Sequence, residues 1–479
     1  MTREPARLEW LEVLQRYWRD PVRPVSKEYW SSLDTLSADE LHDVQSEKLR
    51  VVVRYAYECI PFYRRKFDRV GLNPLDVRSV DDIGLVPITT KSEMADDAAA
   101  SPPWGTFTAI DDVGWKERGW QLFATSGTTA VPRVFRYTRL DRELWAWSDA
   151  RAMWAMGLTP GRDSVLIASA YGPHVWLWGK TYGLNLMQIP IIPGGGLDGR
   201  TRALLIDRYK PTVLACTPSY ALHLALVMRE MGLDPAATSI RFLLCGGEPS
   251  FSIPATRRRL ESTWNAELHE CYGCTEAAPA PGGFTCRHIA SVKDGPASTH
   301  LMPDTHVWET VDPNTLKTVA DGQRGISVVT NLCSEASPQL RFLVGDFTVL
   351  THETCPCGRT GLRALGGFVG RADDMLKVHG VTVFPSAIED AVRSIQELGD
   401  EFQIVVRQER ELDFLTVQAE VQPAVSLERW AAIAQHLETG VTSRCLVRPT
   451  VELLPSGTLP RTEFKARRVR DLRATQDSN

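Results

Sequence analysis

A loop rich in hydroxyl groups follows a short apolar run that ends near Phe123. It holds four hydroxyl side chains and one glycine in five consecutive residues, Thr125, Ser126, Gly127, Thr128 and Thr129. A polyphosphate needs such a concentration of backbone N–H and side-chain O–H donors, together with a nearby cation. The loop lacks the Gly-Lys-Ser/Thr ending of a Walker A loop. We predict a phosphate-binding loop here, with an ordinary Ser/Thr turn as the alternative.

A second stretch, residues 370–385, places clustered charges before a short apolar run. The charged residues are Arg371, Asp373 and Asp374. Gly380 then allows a tight reversal between residues 375–378 and 381–384. The pattern predicts a charged turn leading into a hairpin, which by itself is compatible with a purely structural role.

Cys355 and Cys357 form a tight pair in a loop that also contains proline and glycine. Such a pair is typical of a knuckle that clamps a metal ion, although unligated thiols are the alternative. The chain has ten cysteines and no apolar N-terminal core of signal-peptide length, so we expect reduced thiols or metal ligands in a cytoplasmic protein.

Alternating apolar and helix-forming segments position these motifs. Residues 1 to about 75 have helical spacing of apolar residues. Between residues 150 and 270 the runs 165–169, 187–192, 213–216 and 242–245 read as buried strands, with helices predicted over 201–209 and 219–231. Glycine and hydroxyl residues follow these strands, at 194–196, 217–219 and 246–248, where open α/β sheets bind ligands. The alternation predicts an α/β layer.

Five motifs in order together resemble those of the adenylate-forming (ANL) enzymes. They are residues 125–129, Glu270 to Glu276 (Tyr-Gly-x-Thr-Glu), Arg341 to Asp346 (Arg-x-x-x-Gly-Asp), residues 370–385 and residues 459–469 with Lys465. The form of residues 370–385, with Tyr171-Gly and Thr217-Pro-Ser-Tyr, is similar to the phenylacetate–CoA ligase branch of that superfamily.

This resemblance implies an α/β fold with a large multi-sheet N-terminal adenylation domain, residues 1–370, that binds ATP and the acyl substrate. A small, mobile α+β C-terminal domain would follow at residues 371–479, with strands over 402–407, 414–419 and 451–454 and helices over 385–396 and 426–438. Asp373 would be its hinge. The implied reaction is activation of an acid by ATP as an acyl-adenylate, followed by transfer to CoA.

The resemblance also implies residue roles. Catalysis would depend on Lys465 at the α-phosphate, on Thr128, and on Glu276 as the carboxylate that holds Mg²⁺. Asp346 would accept hydrogen bonds from the ribose. The nucleotide-binding set as a whole would be Thr125, Ser126, Gly127, Thr128, Thr129, Gly247, Glu248, Tyr272, Gly273, Thr275, Asp346, Arg371 and Lys377.

Three positions depart from the pattern of the family. The loop continues Ala130-Val131-Pro132-Arg133 where Gly-Lys-Pro is usual, so the loop lysine is missing and Arg133 is a candidate replacement. Phe464 stands beside Lys465 where glycine is usual, and Cys274 occupies the variable place of the Tyr-Gly-x-Thr-Glu motif.

Relatives in this branch can carry a structural zinc ion at the Cys355/Cys357 knuckle. The matching ligands would be Cys286, His300, Cys355 and Cys357, with His288 as a rival to His300. Three thiolates and one imidazole suit tetrahedral Zn²⁺ with no open position.

The acyl pocket implied by the resemblance is aromatic. Its residues would be Tyr171, Trp176, Trp178, Ser219, Gly246 and Tyr272. This favours a flat aryl acid, since rings gain by stacking. The alternative is that these tryptophans, among fourteen in the chain, pack the core.

Composition excludes some classes and leaves others open. With 479 residues, a net charge of −5 and 24% charged residues, the chain gives no electrostatic case for a nucleic-acid partner, and it has no uncharged run of bilayer length. We expect small-molecule partners and a homodimer.

Several alternatives to acyl transfer to CoA stay open. The acyl acceptor could instead be a carrier-protein phosphopantetheine or an amine, or nitrite could be the activated group. The fold could also serve as a non-catalytic nucleotide- or acyl-binding regulator. A zinc-dependent binding module is a further alternative.

Overall fold

The computed structural model describes residues 4–18, 23–125, 133–292, 297–379, 381–409, 412–461 and 468–473. Within these ranges the helices are α1 (Glu4–Tyr17), α2 (Ala38–Cys59), α3 (Pro61–Val70), α4 (Lys91–Ala100), α5 (Asp112–Arg118), α6 (Arg139–Met156), α7 (Val175–Leu186), α8 (Gly199–Tyr209), α9 (Pro218–Glu230), α10 (Pro254–Trp264), α11 (Arg287–Ser291), α12 (Pro385–Arg393) and α13 (Trp430–Cys445).

The strands of the same ranges are β1 (Gly119–Ala124), β2 (Val134–Thr138), β3 (Val165–Ile167), β4 (Ile191–Pro193), β5 (Val213–Cys216), β6 (Phe242–Gly246), β7 (Glu267–Tyr272), β8 (Gly283–Phe284), β9 (Ser298–Leu301), β10 (His306–Val311), β11 (Arg324–Asn331), β12 (Phe342–Thr351), β13 (Arg363–Leu365), β14 (Leu376–Val378), β15 (Val381–Val383), β16 (Leu398–Glu409), β17 (Leu412–Val421), β18 (Thr450–Pro455) and β19 (Val469–Asp471). The α/β prediction is confirmed.

The chain forms two compact units, each made of two segments. Unit 1 contains Met1–Gly195 and His269–Gly367, and unit 2 contains Gly196–Leu268 and Phe368–Asn479. The chain thus enters unit 2 for the second time just before Arg371, the predicted start of the C-terminal domain. That domain boundary stays a prediction.

Unit 1 contains an antiparallel sheet with the strand order β10-β11-β12-β13-β9-β8-β7. Strands β3 and β4 pair in parallel, and β1 and β2 form an antiparallel pair in which Ala124 lies opposite Val134. The strand predicted at residues 187–192 begins later than expected, because α7 continues to Leu186 and Met187 caps that helix.

A buried ion network attaches the N-terminal helical region to the rest of unit 1. Arg151 on α6 donates to Asp34 (2.8 Å) and to Asp304 (2.7 Å), and Lys48 on α2 pairs with Asp304 (3.2 Å). All four side chains are buried. Although burial opposes it, the charges of Arg151 and Lys48 lower the pKa of Asp304 to about 2. The predicted N-terminal helices are therefore an integral part of this unit.

Unit 2 contains the parallel pair β5 and β6, whose residues are all buried, as their continuous apolar runs predict. It also contains the hairpin β14–β15, which confirms the reversal predicted after residue 378. A four-stranded sheet has the order β18-β17-β16-β19, with α12 and α13 packed in one hydrophobic cluster with it. The predicted C-terminal helices differ at their ends: the first stops at Arg393 and the second runs from Trp430 to Cys445.

Helix α10 contacts the C-terminal segment inside unit 2. Arg259 on α10 pairs with Asp400 (2.9 Å) and donates to the backbone oxygen of Leu398 (2.9 Å). The backbone N–H of Ala255 donates to Asp390 on α12 (3.1 Å). Arg259 and Leu398 lie 139 positions apart in the chain, so the periodicity of the sequence does not predict their contact.

Among the described residues, no helix has both the length and the apolar composition needed to cross a membrane.

Candidate active site

The predicted phosphate loop connects β1 to β2, and hydrogen bonds between Thr125 and Arg133 join its two ends. The backbone N–H of Thr125 donates to the carbonyl oxygen of Arg133 (3.0 Å), and the N–H of Arg133 donates to the Thr125 hydroxyl (3.2 Å). These bonds extend the β1–β2 ladder and fix the base of the loop. Ser126, Gly127, Thr128 and Thr129 lie outside the described residues, so their phosphate role stays a prediction.

The side chain of Arg133 contacts Glu276, the predicted magnesium ligand. Its Nη2 lies 2.7 Å from Oε1 of Glu276, and both side chains are largely buried. Glu276 sits in a short 3₁₀ turn, residues 275–277, where the Tyr137 hydroxyl donates to the backbone oxygen of Thr275 (3.0 Å). The structure therefore joins the loop base to the Tyr-Gly-x-Thr-Glu motif through an ion pair that sequence reasoning missed.

Tyr272, at the end of β7, donates its hydroxyl to Oδ2 of Asp346 on β12 at 2.5 Å. Burial and the neighbouring Asp346 carboxylate raise the pKa of Tyr272 well above its ordinary value. The phenol thus stays protonated and acts as the donor. Two residues predicted to contact the nucleotide are in this way fixed against each other, and Gly273 follows directly.

The arginine of the Arg-x-x-x-Gly-Asp motif has a structural role. Arg341 donates to both carboxylate oxygens of Glu309 (2.8 and 3.0 Å) and to the backbone oxygen of Val86 (2.9 Å). It is buried, and it anchors the strand that carries Asp346.

In unit 2, the predicted residues Ser219 and Glu248 lie together. The Ser219 hydroxyl donates to Glu248 at 2.9 Å and its backbone N–H donates at 3.2 Å, next to the cap that Thr217 provides for α9. Gly247 follows Gly246 at the end of β6 with a φ of +85°, a conformation that favours glycine. The residues that follow β5 and those that follow β6 thus lie side by side, and their role in ligand binding stays a prediction.

The aromatic residues proposed for the acyl pocket form an edge-on pair in unit 1. The rings of Tyr171 and Trp178 have centroids 5.6 Å apart at 69°, and Trp178 donates its indole N–H to the backbone oxygen of Gly172 (2.9 Å). Tyr171 is 44% exposed, while Trp176 and Trp178 are half-buried. Burial lowers the pKa of the adjacent His174, which favours its neutral form. A partly open aromatic surface is therefore present.

The charged turn of residues 370–385 is closed by an internal ion pair. Arg371 donates to both carboxylate oxygens of Asp373, the predicted hinge, at 2.7 Å each. Lys377 donates to the Thr382 hydroxyl (2.5 Å) across the hairpin.

Lys465 lies outside the described residues, but the chain on either side of it is held by buried carboxylates. Arg461 pairs with Glu420 (2.9 Å), and Arg468 pairs with Glu401. Both carboxylates belong to the β16–β17 pair, so the predicted lysine segment begins and ends on that sheet.

The four predicted zinc ligands are brought together. The ligand atoms of Cys286, His300, Cys355 and Cys357 all lie within 4.8 Å of one another, whereas the rival His288 is exposed and outside the group. Burial lowers the pKa of His300, so the imidazole is neutral, as a metal ligand must be. Three sulfur donors and one nitrogen donor at this separation fit a structural zinc ion.

Two residues that sequence reasoning missed surround this cluster. Arg359 places Nη1 3.7 Å from the sulfur of Cys357, and the Tyr29 hydroxyl donates to the Cys357 backbone oxygen (2.8 Å). The guanidinium of Arg359 also lies over the Tyr29 ring. Only Arg359 could have been suspected from the sequence, because it follows the knuckle directly.

Models of two protein families match the chain. The AMP-binding enzyme family matches residues 121–331, and the AMP-binding enzyme C-terminal domain matches residues 380–473. Among curated relatives, a phenylacetate–coenzyme A ligase of Thermus thermophilus is 34% identical over 93% of this chain and 99% of its own length. That of Escherichia coli is 32% identical over 92% of this chain and 97% of its own length.

Solved structures of a CoA ligase also resemble this chain, and the similarity depends on the state in which that ligase was captured. A 2-hydroxyisobutyryl-CoA ligase in the postadenylation state superimposes with a TM-score of 0.88, at 30% identity over 96% of this chain and 97% of that one. The same enzyme in the thioesterification state superimposes with a TM-score of 0.70. Its sequence is 31% identical, over 95% of this chain and 96% of that one. The chain therefore belongs to the AMP-binding, adenylate-forming superfamily, in the branch of the phenylacetate–CoA ligases, and is an AMP-forming acid–CoA ligase.

Proposed function

We propose that this ligase activates an aromatic carboxylic acid. The observation that carries the proposal is the partly exposed ring of Tyr171, which lies edge-on against Trp178; His174, three residues after Tyr171 in the chain, is held in its neutral form by burial, which lowers its pKa. Edge-to-face and stacked contacts reward a flat aryl group more than a flexible alkyl chain.

In the first half-reaction, a carboxylate oxygen of the acid would attack the α-phosphorus of ATP. The new O–P bond forms as the α–β phosphoanhydride breaks and pyrophosphate leaves. In the second, the CoA sulfur would attack the acyl carbon, the bond to AMP breaks, and the thiol proton goes to solvent. Positioning and preorganised positive charge would supply most of the acceleration.

The residue roles extend this proposal. Asp346, held by Tyr272, would accept from the ribose hydroxyls, and the loop of residues 125–129 would donate to the outer phosphates. Lys465 would meet the α-phosphate. The remaining predicted nucleotide contacts are Gly247, Glu248, Gly273, Thr275, Arg371 and Lys377.

Mg²⁺ would be held by Glu276, whose carboxylate is the oxygen donor that a hard cation prefers. When bound, the ion would neutralise charge on the phosphate oxygens. Zn²⁺ would be held by Cys286, His300, Cys355 and Cys357 and would have a structural role only.

We also propose that residues 371–479 form a domain that moves between the two half-reactions, with Asp373 at the hinge. The solved relatives support this, because one enzyme was captured in postadenylation and thioesterification states that match this chain with different TM-scores. The Arg371–Asp373 pair would then have to open or rotate at each turnover.

The test is acid-dependent exchange of labelled pyrophosphate into ATP, with a panel of aryl acids, matched alkyl acids and nitrite. We expect exchange with at least one aryl acid, and CoA-dependent release of AMP with the same acid. Exchange with alkyl acids alone would overturn the aromatic proposal, and exchange with nitrite alone would indicate a diazotising enzyme. Adenylation without CoA-dependent turnover would indicate a carrier protein or an amine as the acceptor.

A further inference from the structure

We propose that Arg133 is a resident counterion of Glu276 that imposes an order of binding: the carboxylate accepts a divalent cation only when a phosphate group has taken over Arg133. This inference rests on the proposed function, because it assigns regulation to the same nucleotide site. It makes Arg133 a positioning residue for the metal.

The backbone fixes where the guanidinium can reach. Both hydrogen bonds between Thr125 and Arg133 hold the start of β2, and the Tyr137 hydroxyl holds Thr275, next to Glu276. The ion pair of 2.7 Å therefore joins two backbone segments that are each anchored independently. The Arg133 and Glu276 side chains retain only 15% and 6% of their exposure, so water screens their attraction poorly.

Arg133 has donor capacity left over. A guanidinium carries five N–H groups, and the side-chain bond seen here uses Nη2. Its Nε is buried and has no hydrogen-bond partner among the described residues. A guanidinium whose Nε–H meets no acceptor among these residues, at the base of a hydroxyl-rich loop, is suited to phosphate oxygens, which it can bind in a bidentate manner.

The sequence of the loop makes Arg133 serve both partners. Val131 stands where the family usually has lysine, and Arg133 is the one cationic residue between positions 125 and 133. A single guanidinium has to divide its charge between the Glu276 carboxylate and an arriving phosphate.

The competition follows from charge. A divalent cation approaching Glu276 alone meets a carboxylate whose Oε1 is occupied and whose negative charge is already balanced. ATP changes both conditions, because its phosphates attract Arg133 and supply further oxygen ligands to the cation. Cation binding without nucleotide is thus disfavoured, and cation and ATP bind as a linked pair.

The experiment measures Mn²⁺ binding by the loss of the electron paramagnetic resonance signal of free Mn²⁺, on zinc-replete protein, without and with ATP. The proteins are wild type, Arg133→Gln, Arg133→Lys, Glu276→Gln and the double variant Arg133→Gln/Glu276→Gln. Glutamine keeps an N–H donor for Glu276 but removes the charge, and lysine keeps the charge.

Without ATP, we expect wild type and R133K to bind no more Mn²⁺ than E276Q. R133Q should bind Mn²⁺ at a concentration at least tenfold lower than wild type needs. The double variant should lose this Glu276-dependent Mn²⁺ site. Without any added divalent cation, the affinity of R133Q for ATP should fall by about tenfold, the usual effect of losing one charge-assisted hydrogen bond.

Glu276-dependent binding of Mn²⁺ to wild type without ATP would overturn the proposal, and so would equal binding by R133Q and wild type. The comparison of wild type with E276Q can overturn the proposal even if R133Q fails to fold. The titration needs no acid and no turnover, so its failure is distinguishable from failure of the pyrophosphate exchange that tests the proposed function.

Discussion

The Tyr272–Asp346 contact joins a residue at the end of β7 to one on β12, 74 positions later in the chain. The hydrogen bond does two things that a lone carboxylate cannot do. It fixes the direction of one Asp346 oxygen, and it partly satisfies the charge of a half-buried carboxylate. The proposed ribose contact is therefore pre-oriented before the nucleotide arrives.

Replacing Tyr272 with phenylalanine should raise the ATP concentration needed for half-maximal pyrophosphate exchange by about tenfold or more, since hydrogen bonds to charged groups contribute about 1.5–3 kcal/mol. The maximal exchange rate should change much less. A matched control is Tyr57→Phe, which removes an exposed Tyr57–Asp68 hydrogen bond of 3.0 Å outside the candidate site. If Y272F needs the same ATP concentration as wild type, Tyr272 does not orient Asp346 for ATP binding.

At the scale of elements, helix α10 joins the C-terminal segment through Arg259, Asp400 and Ala255. If residues 371–479 move between half-reactions, these contacts belong to one of the arrangements and have to break in the other. The higher TM-score with the postadenylation state of 2-hydroxyisobutyryl-CoA ligase associates them with the adenylation side.

Arg259→Ala should therefore slow adenylation several-fold and leave the attack of CoA on preformed acyl-adenylate unaffected or faster. Rapid-quench measurement of each half-reaction separates the two effects, and proteolysis between residues 385 and 400 should become faster. Arg258→Ala, at an exposed neighbouring position on α10, is the control. Equal slowing of both half-reactions would show that the contact is merely structural.

The buried network of Arg151, Asp34, Asp304 and Lys48 acts at the same scale, because it ties the N-terminal helices to α6. Removing one partner of a buried ion network leaves an uncompensated charge. Arg151→Met should lower the free energy of unfolding by about 3–5 kcal/mol, whereas an exposed arginine such as Arg162 should contribute at most about 1 kcal/mol when changed to alanine.

The difference in unfolding free energy between wild type and Arg151→Met should depend on pH with a definite sign. The folded-state pKa of Asp304 is about 2, below its unfolded value of 3.8, so its stabilisation is present above pH 4 and is lost as the pH falls toward 2. The gap in unfolding free energy between wild type and Arg151→Met, measured by urea denaturation, should narrow from pH 6 to pH 3. A gap that stays constant or widens toward low pH would contradict this assignment.

At the scale of the whole molecule, local patterns predicted much of the fold but not its long-range pairs. The apolar runs of β5 and β6 and the charged turn before β14 are encoded within a few residues, and the structure has them where the pattern put them. The Arg133–Glu276 pair spans 143 positions, and its partners are chosen by tertiary packing alone. Helix ends were missed where caps rather than periodicity decide them, as at Met187. The homodimer and the domain boundary remain predictions.

The Cys/His cluster stabilises unit 1 as a whole if it holds zinc. The purified protein should contain one zinc ion per chain, and His300→Ala should lose it and unfold at a lower temperature. His288→Ala should keep both the metal and the melting temperature, because His288 is exposed outside the cluster. Metal analysis and thermal unfolding check this, and full zinc content in H300A would contradict the ligand set.

On this chain, we expect an aryl carboxylate to become a CoA thioester through an acyl-adenylate. The most direct measurement uses an aryl acid labelled with ¹⁸O in both carboxylate oxygens and analyses AMP by mass spectrometry after turnover with ATP and CoA. One ¹⁸O atom should appear in AMP for each thioester formed, because the attacking carboxylate oxygen stays on the α-phosphorus. Thioester formation with unlabelled AMP, or label in pyrophosphate, would contradict the account.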